Sequence, residues 1–181
     1  MSDFLRLIWD ICCLRRGPQD LPYAPLMLGV LCGAELALHA AESWLLPVKQ
    51  EATFASSVFL LAFNLAALYA LLKVSAKDNR FVQAALALLG TSLVFQLMFV
   101  PIVVAFGEGL AEGQAHPTPI QTVAGLASLG VLLWDLMVDA HILRHSLDVR
   151  IALGVLIAIV WRLAEFALNA AVVGGPGAAT A

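Results

Sequence analysis

Glu35, His39 and Glu42 recur at i, i+4 and i+7 inside an apolar run, so they share one face of a helix. Asp135 and Asp139 share a face in the same way within WDLMVDAHILRH (Trp134 to His145), and Arg162, Glu165 and Asn169 share a third. Asn64 and Gln96 stand in two further apolar runs. Ionisable groups at membrane depth are costly and turn toward one another rather than toward lipid. The predicted buried polar cluster is therefore Glu35, Asn64, Asp135, Asp139, Arg162 and Glu165, with His39, Glu42, Gln96 and His141 as secondary members. Arg162 is expected to pair with Glu165 on its own helix and with Glu35 or Asp135 across the bundle.

Two chemistries suit that set. An ion-pair and hydrogen-bond network would hold the helices in register. A proton or cation pathway would exploit the charge count, because four carboxylates face a single arginine. Surplus carboxylates in a low dielectric need a proton, a protonated histidine or a cation. A metal centre is a weaker reading. His141 and His145 are one turn apart, a spacing that suits zinc or iron, but His141 lies about 120° round the helix from Asp135. His39 and His141 also fall toward opposite membrane faces, so no metal or cofactor is expected. Cys12, Cys13 and Cys32 show no ligand spacing and no disulfide framework.

These residues need elements to position them. The chain is 61% hydrophobic and only 13% charged, which is the balance of a polytopic membrane protein. Five continuous apolar runs, at about 23–45, 53–74, 81–106, 120–145 and 150–172, are each long enough to cross a hydrocarbon core of about 30 Å as helix. The fold class is thus all-α, a five-span membrane domain over 23–172. Residues 1–22 form a cytoplasmic segment and 173–181 a flexible outer tail. Of ten Lys and Arg, eight fall before span one or in the loops after spans two and four, against Lys49 in the opposite loops. That asymmetry predicts a cytoplasmic N-terminus and an outer C-terminus.

Residues 3–14 place Asp3, Arg6 and Asp10 on one side and Phe4, Leu7, Ile8, Ile11 and Leu14 on the other. This is an amphipathic interfacial helix, with Trp9, Arg6, Arg15 and Arg16 as its membrane-surface anchors. Gly29 and Gly33 make a small-xxx-small helix-packing face for another span or a second protomer, and Pro101 predicts a bend in span three. No nucleophile elbow, zinc-protease helix or phosphate loop is present, so an enzyme is not expected. The expected partners are the lipid bilayer and other proteins or a second copy. No basic stretch offers a nucleic-acid site.

The layout resembles the Ypt-interacting-protein (Yip) family, with a cytoplasmic N-terminal segment, five spans and an outer C-terminus. RRGPQDLPYAP (Arg15 to Pro25) and ILRHSLD (Ile142 to Asp148) look like stretches of its small bacterial members. The resemblance implies an inner-membrane protein acting in membrane organisation or in partner and lipid binding. A small proton- or cation-coupled transporter or channel is the alternative, and a membrane metalloprotein a remote one.

Overall fold

The computed structural model describes residues 2–45, 54–107 and 118–173. Lys49, residues 108–117 of the GEGLAEGQAHPTP loop, the tail beyond Val173 and the Glu42 side chain lie outside the described residues. Among the described residues six α-helices run in order: α1 (Ser2–Cys12), α2 (Pro25–Leu45), α3 (Phe54–Val74), α4 (Phe81–Gly107), α5 (Pro119–Leu147) and α6 (Ile151–Val173). One-turn 3₁₀ segments at Pro18–Asp20 and Asp78–Arg80 precede α2 and α4. By length and composition α3 to α6 are each apolar enough to cross a membrane, whereas the described apolar part of α2, Pro25–Ala41, is shorter.

The ends of these helices follow from local chemistry. Thr118 caps α5, accepting from the Gln121 N–H at 3.2 Å while the Gln121 side chain accepts from the Thr118 N–H at 2.7 Å. Pro119 then opens the helix with the torsion it already prefers. At the other ends, Leu14, Ala76 and Asp148 close α1, α3 and α5 with positive φ of 60°, 53° and 52°. Arg15 N–H to Asp10 and Lys77 N–H to Leu72 complete the reversed turns at 2.9 and 2.8 Å. Only Asp148 is of a type that tolerates this backbone readily. α4 continues through Pro101 as one helix.

α4 is the central helix. Ala84 to Ala87, Leu89 and Gly90 are buried, and small side chains there let neighbours approach closely. On one side Leu68, Leu72, Ala85, Ala140, Leu143 and Ala158 join α3, α5 and α6. On the other, Leu31, Leu86, Phe95, Val138 and Ile142 meet the N-terminal segment. A glycine lets α6 approach the α5 backbone closely: a Cβ on Gly154 would stand 2.7 Å from the Ala140 carbonyl oxygen. A Cβ added at Gly29 or Gly33, the predicted packing pair, would meet nothing within 4 Å among the described residues, and both positions are exposed. Large apolar residues such as Leu26, Leu126, Leu133, Leu156 and Leu163 also face outward, which suits lipid rather than water.

The N-terminal segment is docked on the bundle. Ile8, Ile11 and Cys12 are fully buried, with Phe4 and Leu7 packed beside them. Three side chains donate to its carbonyls: Trp134 Nε1 to Cys12 at 2.8 Å, His141 Nε2 to Arg16 at 3.0 Å and Gln83 Nε2 to Leu21 at 2.7 Å. The apolar side of α1 is thus covered by protein. Leu5, Trp9, Arg6, Arg15 and Arg16 remain exposed.

Candidate functional site

Arg162 on α6 organises the polar interior. Its Nη2 donates to Asp135 Oδ2 and Asp139 Oδ2 at 2.6 Å each, and its Nη1 to Glu165 Oε2 at 3.2 Å. Helical spacing explains the geometry: one turn separates the two aspartates along α5, so a single guanidinium opposite them reaches both. α3 joins through Trp161, whose Nε1 donates to Asn64 Oδ1 at 2.9 Å and lies 3.3 Å from Glu165 Oε1. Helices α3, α5 and α6 are therefore tied by one continuous network.

A second polar wall comes from α2 and α4. Glu35 is buried and accepts from Ser92 Oγ at 2.9 Å. His39 Nε2 lies 4.0 Å from the same carboxylate, and Gln96 Nε2 approaches His39 Nδ1 at 3.0 Å. Of the two cross-bundle partners expected for Arg162, Glu35 or Asp135, Asp135 is the one that pairs with it, and Asp139 joins it. The cause is rotational, since α5 turns both aspartates toward α6 while Glu35 faces α4.

The two walls confront each other across a cavity of about 510 Å³. Glu35, His39, Asn64, Gln96, Asp135, Arg162, Glu165 and Asn169 line it, together with Phe95, Phe99 and Phe166. A narrower space of about 100 Å³ shares Glu35, Asn64 and Arg162, adds Asp139, and ends on Leu68, Ala85, Leu143 and Ala158. The bundle is therefore wide toward the ends of α4 and α6 and packed toward their beginnings. If every group is ionised, Glu35, Asp135, Asp139 and Glu165 outweigh Arg162 by three charges. Such a surplus beside low-dielectric walls favours uptake of a proton or a cation.

His141 does not join the site. Its ring meets that of His145 edge-on, with centroids 4.5 Å apart, and it serves the Arg16 carbonyl. Arg144, which can only donate, gives a hydrogen bond to His145 Nε2 at 3.2 Å. Among the described residues no three His, Cys, Asp or Glu side chains converge as a metal-ligand set.

The opposite end of the bundle carries a clamp that sequence reasoning missed. Lys77 and Arg80 both pair with Asp148, Arg80 at 3.0 Å, and Lys77 Nζ also donates to the Leu147 carbonyl at 2.9 Å. Hydrogen bonds from Lys77 and then Arg80 hold the Asp148 carboxyl down at about 2. Burial, with Cys13 and Asp135 adding to it, pushes the Cys12 thiol up to about 12. Ser92 and Trp161 were also missed, although each stands four residues from a predicted member, Gln96 and Glu165. Gly154 could have been found from its i, i+4 spacing to Ala158. Comparison of the chain with protein-family models, with curated proteins and with solved structures finds no match.

Proposed function

We propose that this chain is a five-span inner-membrane bundle, N-terminus cytoplasmic, whose interior cavity is a proton- or cation-exchange site of a small coupled transporter. One observation carries the reading: two polar walls, rich in carboxylates and served by one arginine, face each other across a space large enough for a solute. A purely structural brace would gain nothing from that space, because polar groups between membrane helices fix register best when they touch. The asymmetry of the packing adds support. With α4 and α6 leaving the cytoplasm as the charge distribution suggests, the cavity widens toward the outer side, and Leu68, Ala85, Leu143 and Ala158 seal the inner side. That is the shape of a site exposed to one face at a time.

The exchange reading predicts that purified protein in weakly buffered solution releases protons when cations are added. Glu35→Gln and Asp135→Asn should each reduce the release. A folded wild-type protein that releases none across a panel of inorganic and organic cations would refute it.

A second reading has its own observation. The docked N-terminal segment presents Trp9, Arg6, Arg15 and Arg16 outward from the proposed cytoplasmic end, a surface suited to anionic headgroups or a soluble partner. This agrees with the membrane-organising role that the Yip-like layout implies. Loss of binding to anionic liposomes or cytoplasmic partners in Arg15→Ala/Arg16→Ala, with proton release intact, would assign those residues to that separate role.

A further inference from the structure

We infer that the cavity takes a small organic monocation, a quaternary or protonated amine, rather than a bare metal ion; this rests on the exchange reading above and names its substrate class. The argument starts from size. About 510 Å³ is far more than a bare ion needs, and falls in the range of pockets that enclose small organic ligands, roughly 300–1,000 Å³. Hard cations instead call for about six or more oxygens converging at bonding distance. Here Asp135, Asp139 and Glu165 direct oxygens at Arg162, and no metal-ligand set forms among the described residues.

The lining supplies the second argument. Phe95, Phe99 and Phe166 share the cavity with Glu35, Asp135 and Glu165. Aromatic faces next to carboxylates recognise an alkylammonium, because the ring quadrupole and the anion both attract a diffuse positive charge while the apolar walls accept its alkyl groups. Charge decides against the opposite sign. An anion approaching Arg162 would meet Asp135 and Glu165 already on it and Glu35 across the space.

The two walls also imply a sequence of events. Arrival of an alkylammonium beside the carboxylates supplies the missing positive charge, so a proton held among them leaves to solvent and total charge in the cavity is conserved. No covalent bond changes.

The test is calorimetric titration of the purified full-length protein with choline, with its uncharged isostere 3,3-dimethyl-1-butanol, and with Na⁺ and K⁺, alongside the proton-release measurement. Choline should bind with proton release and the isostere should not. Phe99→Ala should weaken choline by about fivefold to tenfold, as loss of one cation–π face does, and Glu35→Gln by more. Glu35→Gln is nearly isosteric and lies off the Arg162 clamp; Phe99→Ala gives an independent arm should that variant not fold. If Na⁺ or K⁺ release protons and choline does not, this inference fails while the exchange reading stands. If no cation does, both fail. Equal binding of choline and its isostere would also overturn the inference, since the site would then read shape and not charge.

Discussion

Arg162 holds Asp135 and Asp139 through one nitrogen and Glu165 through the other, so deleting it leaves carboxylates facing each other. Arg162→Gln should lower the thermal midpoint of the detergent-solubilised protein. Adding Asp139→Asn should recover part of the loss, giving a double-mutant coupling of about 1–3 kcal/mol. Additive effects would mean that the pair does not interact in solution. At Asp148 the sign is different. Its folded value is about 2 against an ordinary 3.8, so its ion pairs contribute above the ordinary value and are lost as pH falls from there toward about 2. Asp148→Asn keeps tolerance for the left-handed backbone and removes the charge. Hydrogen exchange of the Leu147–Arg150 amides should therefore speed up in wild type across that acid window and be fast at all pH in the variant. Cys12, with its thiol pushed up to about 12 and no exposed surface, should resist maleimide at neutral pH. Rapid labelling followed by mass spectrometry would show instead that α1 leaves the bundle easily.

Helix identity and helix rotation were unequally legible. Continuous apolar runs placed α2 to α6 to within a few residues, because a run of that length has few other ways to satisfy its backbone. Shared faces were legible too: Asp135 and Asp139 lie one turn apart, and both reach Arg162. How far each helix turns about its axis was not, since that depends on packing partners remote in sequence. Glu35 therefore meets Ser92, while Asp135, the other expected partner, meets Arg162. α1 fell to a similar ambiguity. An amphipathic pattern states that one side leaves water without saying whether lipid or protein covers it, and here Ile8 and Ile11 meet α4 and α5. The glycines give an element-scale test. Gly154→Ala puts a methyl 2.7 Å from the Ala140 carbonyl oxygen and should cost about 1–3 kcal/mol of stability, as overpacking does. Gly29→Ala and Gly33→Ala meet nothing within 4 Å among the described residues and should leave the fold unchanged. A shift in oligomeric mass with either would show that this face joins two copies.

At the scale of the molecule, two regions divide the labour. The half toward the Asp78–Arg80 turn is close-packed, carries the Lys77–Asp148 clamp and holds the docked N-terminal segment by its carbonyls. The other half is opened by the cavity. Trp134 connects them: it donates to Cys12, stacks edge-on against Trp9 at 6.3 Å and against Phe95 at 5.2 Å, and precedes Asp135 in the chain. A close-packed base beside a charged chamber suits the proposed coupled site, since the chamber must change protonation without unfolding the bundle. The most direct measurement of that claim is counterflow in liposomes: purified protein, an imposed cation gradient and a trapped pH indicator, with wild type beside Glu35→Gln and Asp135→Asn. The account predicts cation-driven proton movement in wild type, reduced at least tenfold in both folded variants. Movement no faster than in empty liposomes, or unchanged by both substitutions, would contradict it and leave the polar cluster as internal bracing.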